Sequence, residues 1–579
     1  MDSGPSLTAV PSSEPSLSNK RVIHWGERLL YSWFKVQLSH HGGKYSLERL
    51  LALEEYTRTV SLTRVALVCV GTPLPMMVLV ILQELIPLQD PASGSRANYG
   101  FWIRVGLLTG VAAHTAAGQA QFLVSRVHFT PTQLALIFCC VATTFPVIMM
   151  GAASVLVFPI PFIVISAVPI FYLVMVASFR AVSGPNIFKD MMANTSELWK
   201  YVAFIIFQAL MMIVYPGYQT IFTAAIGTYY EVPVILLLPV IKMTMKYLFS
   251  ITTSHVEDLM PEAVIFTAEF FNSLYLATFM QRTSAPATFI TMVVIDFCQI
   301  SVGLYQFHVR TNTIVSRIEN IVGVRDQRNV LLSTCLLCRK PGIYQSQIRN
   351  GVRVHSHFQH QLQDSSRKLL DSLAGVVTDK AMKYSHSKRF YRKVRFKHQQ
   401  FSGILTAPRI TRSARIQPSI PNTDKASPHT NNIVPVTKSP AQHSLILQET
   451  LEALFTSECL VLTEYLESLV PGFYGCFVLV LVCLPNVKYH NDLEGITVEN
   501  VHTTVEGVFA LGVLEIISFI VVAVVLQRNC GVKALYQLAF VLETQRMLIQ
   551  DKIALWMLMT MAFRVVHFGV DFTFQFAWI

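Results

Sequence analysis

The chain is 579 residues long, 52% apolar and only 14% charged, with a mean hydropathy of +0.45 and a formal charge of +11. Soluble proteins carry about 25% charged residues, so this apolar excess rules out an ordinary soluble domain. The ten cysteines are scattered, many of them inside apolar runs (Cys69, Cys139, Cys140, Cys298, Cys476, Cys483), which argues against a disulfide framework.

Residues 1–20 are rich in Pro and Ser and are expected to be disordered. No cleaved leader is predicted, because residues 1–60 lack its short apolar core. In the segment 21–64, Trp25, Leu29, Leu30, Trp33 and Phe34 recur at helical spacing around Arg28 and Lys35. That pattern fits a helix lying on a membrane surface or a small helical cap.

A helical span needs about 20 apolar residues. Within 65–307 the candidates are 65–86, 101–124, 133–151, 153–179, 201–226, 230–250, 262–280 and 285–307; within 468–579 they are 468–486, 503–526 and 553–577. The predicted fold class is an all-α, polytopic helical membrane protein of about 11 transmembrane helices, eight and then three. Between the blocks lies a polar stretch, 308–443, followed by an acidic amphipathic helix, 444–467.

The polar stretch orients the chain. From Arg310 to Lys438 it holds 23 basic and six acidic residues, an excess of 17 that exceeds the charge of the whole protein. Lys and Arg favour the cytoplasmic side, so this loop and the N-terminus are expected inside, with eight crossings between them. The last span then leaves the C-terminus outside. Arg282 is the one basic residue out of place. The sequon at Asn194 falls inside and is predicted to be unused.

Three stretches in the last third, Leu454–Tyr465 (LFTSECLVLTEY), Phe540–Gln550 (FVLETQRMLIQ) and Arg564–Ile579 (RVVHFGVDFTFQFAWI), resemble a family of uncharacterised multi-pass proteins from filamentous microbial eukaryotes. The resemblance implies the membrane architecture and no activity.

Charges buried in a bilayer cost about 2.5–3.5 kcal/mol each on insertion scales and point to function. Counting about 1.5 Å per residue places Lys242, Glu269, Asp296 and Arg564 in one layer near the midplane. Lys242, Glu269 and Asp296 read as an ion or proton site, with Gln299 and Asn272 as polar neighbours. A structural pair such as Lys242–Asp296 fits the same residues, and Lys242 could instead snorkel to the inner surface. Arg564, His567 and Asp571 recur at i, i+3 and i+7, which predicts a polar stripe on the last helix. It serves either as a proton relay or as an internally satisfied face. Prolines 73, 75, 146, 159, 161, 169, 233 and 239 interrupt several spans, as in transporter sites and in kinked membrane helices generally.

In the loop, Lys388, Arg389, Arg392, Lys393, Arg395 and Lys397 alternate with Phe390, Tyr391 and Phe396. Anionic inner-leaflet lipid is the expected partner of this cluster, at about 1 kcal/mol per basic residue, and nucleic acid is not. The stretch 402–442 is Pro-, Ser- and Thr-rich and reads as disordered. Cys335 and Cys338 form a lone CxxC, where S-palmitoylation is a more natural expectation than zinc.

No cofactor, metal site or catalytic motif is predicted, and the chain does not read as an enzyme. Two functions stay open. One is a transporter or channel for an ion or small solute, using the charged layer. The other is a non-transporting scaffold or receptor-like anchor working through the basic loop.

Overall fold

The computed structural model describes residues 43–125, 127–282, 286–322, 329–339, 352–358, 360–375 and 446–571. The expectations for residues 1–42, for the basic cluster Lys388, Arg389, Arg392, Lys393, Arg395 and Lys397, and for 402–442 lie outside the described residues.

The described chain is a helical bundle, as a multi-pass membrane protein requires, since helices satisfy their own backbone hydrogen bonds in lipid. Helix α1 (Leu47–Thr59) starts where Ser46 accepts a hydrogen bond from the amide of Arg49. The first span is split into α2 (Leu62–Gly71) and α3 (Leu74–Glu84) at Pro73, which lacks an N–H to continue the ladder. It is followed by α4 (Tyr99–Leu123) and by α5 (Pro131–Val155), which opens on a capping box between Thr130 and Gln133.

The fourth span does not begin as a continuous helix. Residues 156–167, with Pro159 and Pro161, are largely irregular, and only α6 (Val168–Ala193) crosses. Helix α6 is itself broken at Gly184, whose φ of 77° is open to glycine and strained for other residues. Next come α7 (Thr195–Ala225), α8 (Glu231–Thr253), α9 (Met260–Arg282), α10 (Pro286–Val322) and the short α11 (Val330–Arg339). After the basic stretch follow α12 (Ile446–Leu481), α13 (Val501–Cys530), α14 (Ala534–Thr544) and α15 (Arg546–Ala562).

Among the described residues nine helices are long and apolar enough to cross a membrane. Two more segments also run between the ends of the bundle. Helix α4 links Asn98, beside Gln89, to Leu123, whose carbonyl meets His255. Helix α15 links Gln545, bonded to the carbonyl of Asp258, to Arg564, paired with Asp492. Both are polar for spans because they are buried: α4 holds Arg104, Thr115 and Gln119 away from lipid, and α15 holds Lys552. Helix α9 is central too, with nearly all its residues buried. The lipid-facing surface comes from outer helices such as α13, where Ile516, Ile517, Ile520 and Val521 are exposed.

Three boundaries and one expected modification site differ from expectation. From Ile446 on, the acidic segment and the span after it are one 36-residue helix, α12. Helix α10 continues past His308 to Val322. Helix α15 stops at Ala562, so Arg564, His567 and Asp571 do not form a stripe on a helix: His567 sits in a short 3-10 turn, and Asp571 follows it. Cys335 and Cys338 are both buried in α11, at 0% and 1% exposure, which contradicts an accessible palmitoylation site.

The end of the bundle where α10 leaves and α12 enters, called the loop end below, carries a polar cap. Arg49 Nη2 meets Glu458 Oε1 at 2.7 Å, and Gln537 Nε2 donates to Tyr45 Oη at 2.9 Å. Asp258 accepts from Ser356 Oγ at 3.1 Å and from the amide of His357 at 3.3 Å. This network ties α1 and residues 352–358 onto the bundle.

A charged cavity as the candidate functional site

Helices α8, α9, α10 and α12 enclose a cavity of about 910 Å³. Its mouth faces the loop end, where Arg310 pairs with Glu452 at 2.6 Å and Arg317 with Glu449 at 3.0 Å. One wall is a stripe on α12, in which Glu449, Glu452, Thr456, Cys459, Leu460, Thr463 and Glu467 all line the cavity at near-helical spacing. That spacing keeps them on one face. Gln299 and Gly303 of α10 stand among the residues opposite.

The cavity ends on a charged cluster deep in the bundle. Lys242 Nζ lies 2.7 Å from Glu467 Oε1 and 2.9 Å from Glu269 Oε2. Lys246, one turn along α8, pairs with the other oxygen of Glu269. Both lysines therefore turn inward, and Lys242 does not snorkel. Asp296, half-buried on the cavity wall, stands apart from this pairing. One carboxylate oxygen each from Asp296, Glu467 and Glu515 lie within 4.8 Å of one another. Glu464 accepts a hydrogen bond from Ser518 Oγ at 2.7 Å and interacts electrostatically with Asp296 and Lys242.

Three of the four residues expected in a midplane layer are thus together: Lys242, Glu269 and Asp296. Lys242 pairs with Glu269 and Glu467, so a simple Lys242–Asp296 tie is not the arrangement. Arg564 is not in the cluster. Because α15 ends early, its guanidinium lies at the opposite end, where it donates to Tyr474 Oη at 2.6 Å and Thr278 Oγ1 at 2.7 Å and sits 3.1 Å from Asp492 Oδ2. Arg282, out of place by the sequence, pairs with Asp492 as well. Arg282, Asp492, Arg564 and Asp571 line a second, smaller cavity of about 250 Å³.

His567 belongs to neither cavity lining. It is buried against Phe101, and its Nε2 lies 2.6 Å from the carbonyl of Gln89 and 3.1 Å from Asn98 Oδ1. Both partners are acceptors, so Nε2 carries the proton. Burial holds this imidazole down to about 4, which fits a structural hydrogen bond and speaks against a proton relay.

Three acids of the cluster were not singled out from the sequence. Glu464 and Glu467 fall in the segment expected to be a helix preceding the membrane, and Glu515 has no charged neighbour at helical spacing on its own helix to mark it. The signal available was the helical polar spacing of Glu449, Glu452 and Thr456, which resumes at Thr463 and Glu467.

The result is a cluster of five carboxylates (Glu269, Asp296, Glu464, Glu467, Glu515) against two ammonium groups (Lys242, Lys246). Fully ionised, it would carry three uncompensated negative charges inside the bundle, which a low-dielectric site does not tolerate. Protons or cations must make up the difference.

Between the two cavities lies an aromatic layer. Tyr215 interacts electrostatically with Glu269 and Lys242, and Tyr275 with Arg564 and Asp492. The two rings pack at 5.4 Å between centroids; Phe271 lies 5.5 Å from Tyr215 and 5.2 Å from Trp556.

Comparisons of the chain with family models, with curated proteins and with solved structures find no match. The site is therefore read from its own chemistry.

Proposed function

We propose that this multi-pass membrane protein is a proton- or cation-coupled transporter, and that the cavity facing the loop end is its access path. The observation that carries the reading is the cavity itself, which leads to a cluster with more acids than bases. A purely structural cluster would be charge-matched and closed, whereas this one is reachable and takes up compensating charge. The aromatic layer of Tyr215, Phe271, Tyr275 and Trp556 separates the cluster from the opposite cavity, an arrangement that suits alternating access. Prolines lie inside α8, at Pro239, and inside α7 beside the opposite cavity, at Pro216, where each leaves a carbonyl without its helical partner.

We place the loop end in the cytoplasm on the strength of the 23 basic residues between Arg310 and Lys438. Asn194 then lies inside and carries no glycan. The chain is proposed to act without enzymatic chemistry, and the likeness to uncharacterised multi-pass proteins from filamentous microbial eukaryotes is compatible with that role.

The test is charge displacement after a pH jump, read from full-length protein in liposomes on a solid-supported membrane. Wild type should give a transient current that Asp296→Asn and Glu269→Gln each reduce by more than half. Currents no larger than those of empty liposomes, or unaffected by both substitutions, overturn the reading. The second function, an anchor working through the basic loop, makes the reverse forecast. It predicts no current above that of empty liposomes, and loss of binding to vesicles containing anionic lipid when 380–440 is deleted.

A further inference from the structure

We propose that Asp296, Glu467 and Glu515 together bind one divalent, oxygen-preferring cation. The proposal deepens the transport reading, since it rests on the cavity as a working path and names what the path's end would hold. The three carboxylates come from α10, α12 and α13, so folding alone brings them together, and their nearest oxygens lie within 4.8 Å of one another. Such a spread lets one ion touch all three after small side-chain adjustments.

A cluster of acids is not in itself a site. The second observation is Glu515. It is 5% exposed, and its Oε2 has no hydrogen-bond partner among the described residues. An unpartnered buried carboxylate oxygen costs stability unless something meets it. Lys242 does not, because its ammonium is engaged by Glu467 and Glu269. Nor does Lys246, which is held on Glu269. Ser518 serves Glu464.

Charge selects the valence. The two lysines offset two acids and leave three, and a divalent ion cancels two of those, with a proton or the Ser518 hydroxyl easing the third at Glu464. Donor chemistry selects the class. The three ligands offer only carboxylate oxygen, without imidazole or thiolate, which suits magnesium, calcium or manganese over zinc or copper. Asp296 faces the cavity and gives the ion a route in. When the ion leaves, protons take its place on the same oxygens, which would couple cation movement to proton movement in the opposite sense.

Manganese is the probe, because its paramagnetic signal reports free and bound ion directly. Detergent-purified full-length wild type should bind it saturably, with calcium or magnesium competing. Glu515→Gln and Asp296→Asn should each weaken binding by on the order of tenfold or more, as loss of a charged ligand does. Glu506→Gln, an exposed acid on the same helix, should not change it. Glu515→Gln preserves shape and removes a charge that has no partner, so it should stay monodisperse; if it does not, Asp296→Asn decides alone. Absence of saturable binding, equal affinity in the variants, or competition by sodium but not by calcium or magnesium overturns the assignment. Saturable manganese binding without any charge displacement in liposomes would retain the site and remove the transport reading. Proton-driven currents without manganese binding would do the opposite.

Discussion

Two buried charge groups in this bundle obey different rules. At the end opposite the basic loop, Arg104 and Glu84 are each about 1% exposed and meet one to one at 2.8 Å. The guanidinium also donates to the carbonyls of Glu84 and Ile86, and His490 closes on Glu84 Oε2 at 3.2 Å. In the Lys242 cluster two lysines face five acids, and a cavity connects them to the loop end. A matched pair sealed in protein holds helices together. On the transport reading proposed above, a mismatched cluster beside a path is poised to exchange charge. Counting charges against partners therefore separates matched from mismatched groups where burial alone does not.

The largest effect should come from unbalancing the matched pair. Arg104→Ala leaves Glu84 buried with an incomplete partner set and should cost about 3–5 kcal/mol, seen as loss of monodisperse protein or a sharply lower unfolding temperature. Glu515→Gln should do the reverse in the same assay and leave the unfolding temperature unchanged or raised, because it removes a repelling charge. If both variants lose stability equally, the distinction between the two groups fails.

The aromatic layer comes next. Tyr215→Ala opens space between the charged cluster and the Arg564 cavity, so passive proton leak into liposomes should rise severalfold over wild type. An unchanged leak would mean that the layer is not the barrier.

A smaller, pH-dependent effect belongs to the loop-end cap, outside the spans. His360 is stacked on Phe540 at 5.4 Å, and burial, aided by the nearby Arg49 guanidinium, holds its imidazole down to about 4. Its neutral form is thus favoured in the fold. That contribution is complete above the ordinary value of 6.5 and is lost as pH falls from 6.5 towards 4. Burial acts against ionisation of Asp258 as well, but hydrogen bonds from His357 and the charges of Arg49 and Arg353 outweigh it and hold the carboxyl at about 2. Its contribution is present above 3.8 and fades only below that. Thermal unfolding of wild type should therefore weaken between pH 6.5 and 4, and His360→Phe should weaken less over that window. The smallest effect is expected at the cavity mouth, where Arg317 is 42% exposed. Arg317→Ala should change stability by less than about 1 kcal/mol, measurable in the same melts.

Much of the architecture was legible because lipid imposes a simple rule. Any helix facing it must be apolar for about 20 residues, so outer helices such as α5, α7 and α13 stand out in the sequence. Lys242, Glu269 and Asp296 stood out for the same reason, as charges where none is tolerated freely. The rule fails where protein replaces lipid. Helix α15 needs no long apolar run because its neighbours cover it, so its end at Ala562 was invisible and Arg564 was placed about half a span too deep. Glu464 and Glu467 were hidden by the same effect, since a helix face lining a cavity can be acidic without ending the helix. Glu515 required partners on α10 and α12, which no spacing within α13 could reveal.

The central claim is that the surplus carboxylates at the cavity's end are neutralised by exchangeable protons or cations. Infrared difference spectroscopy of the full-length protein, recorded with and without manganese, tests it most directly. The account predicts a protonated-carboxyl C=O band that falls when manganese is added and is reduced in Glu515→Gln. A spectrum with no such band, or one that neither manganese nor the substitution alters, would contradict it.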